Sequence, residues 1–273
     1  MLVTILGSAQ DGGVPQVGMR PGIGPWRTAS SIAVASGESF FLFDASPDLR
    51  MQQRSLLEES GYAERAGDAF DGIFLTHGHM GHYSGLVHFG KEAHAPHGIP
   101  LYGTESMLGF LQSNEPWASL IGGGYLAPVP VEPATPVTVR DLTVTAVTVP
   151  HRAEHTDTVA WSISRGWSIL YLPDIDAWEQ WPQAEETLEA HDVCLIDATF
   201  FAADELGEGR ERSIPHPTVR NTVDRWGHLA STRRLILTHI NSTNPIADPG
   251  SSEAMWTKDS GFEIARDGML LSG

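Results

Sequence analysis

Three histidines, His77, His79 and His82, fall within six residues of the stretch FLTHGHMGHYSG, residues 74–85. Imidazoles at i and i+2 on an extended turn point the same way and can grip one metal ion. His82, three residues further on and nearer the next predicted helix, points toward a second position. Gly78 and Gly81, between the histidines, allow the backbone to turn tightly. A lone histidine is usually a packing or surface residue, but three at this spacing after an apolar run point to metal binding. Other runs also end in side chains able to do chemistry. VPH ends in His151, YLPDID contains Asp174, LILTH ends in His239, VCLIDATF contains Asp197, and SIPHPTV places His216 just before a predicted helix.

Elements that position these residues follow from hydrophobic periodicity. Short apolar or β-branched runs predict strands at 2–6, 31–35, 39–43, 71–75, 125–131, 142–149, 158–164, 167–172, 193–196, 234–238 and 262–271. The last contains Asp267-Gly268, a pair suited to a hairpin turn. Helices are predicted at 47–60, 83–95, 104–113, 177–190 and 217–230, the first with Ser46 as N-cap and Pro47 at its first position. Strands come first, then strands and helices intermixed, an order that suggests stacked sheets with helices outside. DGIFLTHGHMGH and RRLILTHINSTN share the order strand, Leu-Thr-His, polar loop, which could bring His77 and His239 into one cleft. The loops at 7–27 and 207–217 are long, and long ordered loops often carry function.

Composition bounds the partners. The chain has 273 residues, 41% of them hydrophobic, and no linker divides it, so one domain over 1–273 is expected. A formal net charge of −17 fits neither nucleic acid nor an anionic membrane surface, and favours a small-molecule substrate. The only cysteine, Cys194, sits in an apolar run and reads as a buried hydrophobe, so no cysteine zinc cluster can form. The N-terminus lacks a signal-peptide pattern and no apolar run approaches ~20 residues, from which a cytoplasmic location is expected. Trp26, Trp117, Trp178 and Trp181 could line a pocket or a homodimer face, or simply pack the core edge.

THGHMGH resembles the T-H-x-H-x-D-H motif of the metallo-β-lactamase superfamily, and the superfamily's later marks follow in order. The resemblance implies an α/β fold, a four-layer αββα sandwich of two mixed β-sheets flanked by helices. It implies that His77, His79 and His151 hold one metal, that Asp174 bridges, and that His82 and His239 hold a second. Asp44, in FLFDAS, matches a structural aspartate near the metal loop. Zinc is the expected ion, one or two per chain, with manganese or iron as alternatives. Gly81 departs from the motif where an Asp is found. Either the second site is weak or another carboxylate replaces it. Asp176 and Asp11 are the candidates, with a solvated loop role as the plain alternative for both.

Asp197 and His216 resemble the paired acid and histidine of the tRNase Z phosphodiesterase branch, where a carboxylate orients the histidine that protonates a leaving group. LGSAQDGGVPQ, VPHRAEHTDTVAWSI, LYLPDIDAWE and IPHPTV also look similar to the coenzyme PQQ synthesis protein B family. The chain departs from that family in having no cysteines in VGMRPGIGPWR and in having both His77 and His79. The resemblance implies a metallohydrolase in which metal-bound hydroxide attacks a small phosphodiester, favoured, or an ester or lactone, with His216, Asp197 and Asp174 in catalytic roles. An iron-dependent oxidase or hydroxylase and a non-catalytic metal-binding relative are the alternatives. His155 reads as pocket-lining or solvated, and His88, His94, His97, His191 and His228 as surface or packing residues.

Overall fold

Runs of β-branched and aromatic residues alternate with Gly, Pro and Asp, and in the computed structural model, which describes residues 1–19, 24–58, 68–205 and 214–273, these runs form strands. In chain order they are β1 (Leu2–Gly7), β2 (Ser31–Ser36), β3 (Ser39–Phe43), β4 (Gly72–Phe74), β5 (Ile99–Gly103), β6 (Leu126–Pro130), β7 (Val137–Val139), β8 (Leu142–Thr148), β9 (Val159–Arg165), β10 (Trp167–Leu172), β11 (Val193–Asp197), β12 (Arg234–Thr238), β13 (Glu263–Ile264) and β14 (Met269–Ser272). The helices are α1 (Leu49–Glu58), α2 (Met80–Tyr83), α3 (Glu105–Gln112), α4 (Trp117–Gly122), α5 (Ala184–Glu189), α6 (Val219–Trp226) and α7 (Ser252–Asp259).

Two seven-stranded sheets result, ordered β14-β1-β2-β3-β4-β5-β6 and β7-β8-β9-β10-β11-β12-β13. Both are mixed in the same way. Antiparallel pairings run up to β3 in one sheet and β10 in the other, and parallel pairings follow. Parallel strands covered on both faces need continuous apolar sequence, which is why VCLID of β11 is buried at every position. Between the sheets lies a core that includes Phe43, Phe74, Trp161, Tyr171 and Ile236. Residues of α1, α3 and α4 pack on the outer face of the first sheet, and residues of α5, α6 and α7 on that of the second. This is the four-layer αββα sandwich of the sequence reading.

The core stiffens the strands that feed the histidine loop. Phe74, the last residue of β4, stacks on Phe43 at 4.5 Å and on Tyr102 at 4.3 Å, and meets the edge of Trp161 from the other sheet at 5.2 Å. Offset and edge-on aromatic pairs of this kind add about 0.5–1.5 kcal/mol each beyond the area they bury. Cys194 is fully buried, as expected, and burial pushes its thiol up to about 12. Among the described residues no helix is long and apolar enough to cross a membrane.

Several expectations need correction. Residues 262–271 do not form a hairpin: β13 pairs with β12 in the second sheet and β14 with β1 in the first. The helix expected over 83–95 is the single turn α2 followed by a 3₁₀ segment, Ser84–Phe89. The helix expected over 177–190 breaks into a 3₁₀ turn, Trp178–Gln180, and α5, because Pro182 interrupts it. Residues 59–60 of the first predicted helix, and residues 20–23 and 207–213 of the two long loops, lie outside the described residues. Strands β5 and β7 and helices α4 and α7 went unpredicted. Trp178 and Trp181 are buried in the core, Trp117 packs on Tyr83, and Trp26 is exposed.

Candidate metal centre

Strand ends deliver each of the predicted residues to one cleft. Thr76 and His77 follow β4, and the loop continues through His79 into α2, which carries His82. His151 follows β8, Asp174 follows β10, Asp197 ends β11, and His239 follows β12. His216 lies just before α6, whose N-cap Thr218 accepts from Asn221 N. Asp44 and His239 both adopt positive φ, 61° and 59°. Left-handed backbone at non-glycine residues costs energy and concentrates where side chains must be aimed for function.

Distances divide the cleft into two clusters sharing one carboxylate. In the first, His77 Nε2 and His151 Nε2 lie 3.0 and 3.1 Å from His79 Nδ1. Asp174 Oδ2 is 3.4 Å from His77 Nε2 and 3.3 Å from His151 Nε2. In the second, Asp11 Oδ1 is 3.3 Å from His82 Nε2 and 3.7 Å from His239 Nε2. The same Asp174 Oδ2 is 3.9 Å from His82 Nε2 and 3.8 Å from His239 Nε2, so it stands between the clusters. His216 Nδ1 faces Asp197 Oδ2 at 2.8 Å and Asp174 Oδ1 at 3.3 Å.

Outward hydrogen bonds fix which ring nitrogen faces the centre. Thr76 Oγ1 donates to Asp44 and therefore accepts from His77 Nδ1, 3.0 Å away. Thr199 Oγ1 donates to Asp197 and therefore accepts from His239 Nδ1, 2.9 Å away. His82 Nδ1 donates to Asp44 Oδ2 at 2.7 Å, and His151 Nδ1 faces Asp176 Oδ1 at 2.8 Å. At His77, His82 and His239 the outward hydrogen bond leaves the inward nitrogen to offer its lone pair to a metal ion, the arrangement in which outer partners orient metal-binding imidazoles. His79 Nδ1 sits about 3 Å from both His77 Nε2 and His151 Nε2 and carries at most one proton for the two, so a shared cation suits this group of three nitrogens. Buried atoms without hydrogen-bond partners point the same way: Asp11 Oδ1, His82 Nε2, Asp174 Oδ1 and His239 Nε2. The donor set fits one or two divalent cations of the zinc, manganese or iron type.

Electrostatics differ between the clusters. Burial, with nearby imidazoles adding to it, holds His77 well below its ordinary pKa, and burial also lowers His79 and His151. Burial lowers His82 too, but Asp44 and Asp11 outweigh it and hold its pKa well above the ordinary value. For Asp11 and Asp174 burial works upward, and the surrounding histidines bring both well below the usual carboxylate range. At His216 burial is outweighed by Asp197 and Asp174, which push the imidazole up to about 9.

All eight residues singled out for metal binding or catalysis meet here: His77, His79, His82, His151, Asp174, Asp197, His216 and His239. Of the two candidate replacement carboxylates, Asp11 enters the second cluster and Asp176 backs His151. Neither Gly78 nor Gly81 has positive φ, so it is the space around each rather than a left-handed backbone that calls for glycine. A Cβ on Gly78 would meet Thr156, and one on Gly81 would meet Asp11. His155 lines the rim, stacked on Phe110 at 5.5 Å and edge-on to His79 at 6.4 Å. Thr76 and Thr199 were missed; the signal was a threonine beside the histidine in LTH and two residues beyond the aspartate in DATF.

A sequence model of the Beta-lactamase superfamily domain matches residues 40–240. Coenzyme PQQ synthesis protein B of Azoarcus sp. (strain BH72) is 30% identical over an alignment 313 positions long that covers 100% of both chains. The same-named protein of Klebsiella pneumoniae (strain 342) is 30% identical, over 100% of this chain and 98% of that one. Among solved structures, Zn(2+)-bound PqqB from Methylobacterium extorquens superposes with a TM-score of 0.85 at 25% identity, covering 100% of both chains. A diphosphatase of the PhnP family shares the fold, with a TM-score of 0.72 at 22% identity over 99% of this chain and 96% of that one.

Proposed function

The chain belongs to the beta-lactamase superfamily and, within it, to the coenzyme PQQ synthesis protein B family, and on that premise we propose that it is a metal-dependent hydrolase of a small phosphodiester, or of an ester or lactone. The carrying observation is the 2.8 Å contact between His216 Nδ1 and Asp197 Oδ2, set beside Asp174 at the junction of the two clusters. His77, His79, His151 and Asp174 would hold one cation, and His82, Asp174 and His239 would contribute to a second. Zinc, with manganese or iron as alternatives, would supply Lewis acidity and an activated water.

The remaining work falls to the chain's own groups. Asp197 accepts from Ile175 N, Thr199 N and Thr199 Oγ1, so its carboxylate is fixed before substrate arrives. Fixed in this way, it keeps His216 protonated near neutral pH, ready to protonate a departing oxygen. Because Nδ1 is committed to Asp197, the transferable proton is the one on Nε2. His155 and Phe110 form a flat wall beside His79, suited to one side of a small substrate. The net charge of −17 repels polyanions and favours a small molecule over a nucleic acid.

The test is a substrate panel on protein reconstituted with zinc, manganese or iron. Turnover of bis-p-nitrophenyl phosphate is expected. Lactone or ester turnover alone would move the reading to carbonyl chemistry. Oxygen consumption by tightly held iron, without hydrolysis of either class, would overturn it.

A further inference from the structure

The second cluster has a carboxylate that the histidine loop itself does not supply. Gly81 follows Met80 and precedes His82, and a Cβ built on it would lie 2.0 Å from Asp11 Oδ1 and 2.7 Å from Asp11 Cα. Any larger residue at 81 would therefore occupy the space that Asp11 fills. Asp11 Oδ1 is buried, has no hydrogen-bond partner, and lies 3.3 Å from His82 Nε2 and 3.7 Å from His239 Nε2, both unpartnered themselves. The outward protons of these two rings go to Asp44 and Thr199, so two lone pairs and a carboxylate oxygen converge on one point.

Backbone pairing brings Asp11 there. Gln10 N donates to Ile240 O at 3.0 Å and Ile240 N donates to Ser8 O at 2.9 Å, which ties the loop before Asp11 to the residue after His239. Gln16 Nε2 donates to Gln10 Oε1 at 3.1 Å and to Asn241 Oδ1 at 2.9 Å, closing the far side of the loop on the same segment. Asp11 and His239 are thus positioned by one set of hydrogen bonds.

We propose that Asp11 is a direct ligand of a second cation, with His82, His239 and Asp174, and that Gly81 is kept bare to admit it. The proposal rests on the metal reading above and concerns only which residues hold the second ion. The carboxylate of this cluster comes from the N-terminal loop rather than from the histidine loop.

The experiment is a zinc titration of the metal-free full-length chain by calorimetry, with bound zinc counted after gel filtration. Wild type should take up two equivalents. Asp11→Asn, nearly identical in shape, should keep the first and lose the second. Contacts that merely support a metal ligand cost about 10–100-fold in affinity, so loss of a ligand itself should cost on the order of 100-fold or more. Gly81→Asp alone should also weaken the second equivalent, because its side chain displaces Asp11. Two equivalents at unchanged affinity in Asp11→Asn, or one equivalent in wild type, would overturn the assignment of Asp11. Failure to hydrolyse any substrate with both equivalents bound would sink the hydrolase reading and leave this one standing.

Discussion

His191 and His82 are both buried imidazoles, 6% and 1% exposed, and they do opposite things. His191 lies between α5 and β9, with Nδ1 2.7 Å from Thr187 O and Nε2 2.7 Å from Ser162 Oγ. A carbonyl only accepts, so Nδ1 carries the proton and Nε2 accepts from the serine hydroxyl. Every polar atom of the ring is satisfied by a neutral partner. His82 has one nitrogen satisfied by Asp44 and the other left bare toward Asp11, Asp174 and the other histidines. Burial alone therefore does not mark a working histidine. What marks it is burial with one ring nitrogen held by an outer partner and the other aimed into a cluster of carboxylates and imidazoles from distant strand ends.

The largest test of this contrast is Asp174→Asn. Its Oδ2 lies within 3.9 Å of four imidazoles, and an amide there removes the charge that both clusters share. We expect kcat/KM to fall more than about 1,000-fold, beyond the ~10–100-fold seen when only outer partners of a metal site are removed. His191→Gln should leave kcat/KM within about twofold. A loss below tenfold in Asp174→Asn would mean that the crowded cleft is not the working centre.

Next in size is Asp197→Asn. Positioned proton donors contribute about 10²–10⁴-fold, and this carboxylate holds the donor, so kcat should drop on the order of 100-fold or more with KM little changed. His216→Ala should lose a similar amount, and the double variant little more, since the pair acts as a unit. Additive losses in stopped assays would separate the two residues and break the pairing.

Sequence reached the cleft further than it reached the frame around it. β1–β3 and β8–β12 were legible because their runs are apolar and turn-bounded. IPLYG of β5 was not, since Pro100 and Gly103 argue against a strand, although pairing on both sides enforces one. α7 was missed because it buries only the small Ala254 and Thr257, too little for a helical stripe. Asp267-Gly268 signalled a turn correctly, but Asp267 also accepts from Ser8 and Thr28, and the strands flanking it pair with different sheets. Local patterns cannot report such long-range choices. Asp11 shows the same limit: nothing nearby in sequence distinguishes it from a solvated loop carboxylate, and only folding brings it to Gly81.

Metal removal separates the two kinds of histidine by stability. Ligand present at about 100 times its Kd stabilises by about 2.7 kcal/mol, and 1 kcal/mol shifts the Tm of a chain near this size by about 2–4 °C. Stripping the protein with a chelator should therefore lower its Tm by about 5–10 °C. Asp174→Asn should lose most of that increment. His191→Gln should lower Tm equally with and without metal, and a metal-dependent difference between wild type and His191→Gln in scanning calorimetry would undo the contrast.

The smallest effect is on the pH dependence of stability. Burial lowers the pKa of His191, with Thr187 O and Asp192 opposing it only in part. An unfolded histidine takes up a proton near pH 6.5, while the folded ring resists until lower pH. The unfolded state then binds more protons, so stability falls as pH drops below about 6.5 and is fully present above it. The cleft histidines contribute in the same pH range, and the subtraction of a variant removes their share. Metal-free wild type and His191→Gln, unfolded by urea between pH 8 and pH 5, should differ most at the alkaline end. The gap should narrow steadily as pH falls through 6. A gap that stays constant would mean that His191 is protonated equally in both states. The neutral, fully satisfied ring set against His82 would then be the wrong description of it.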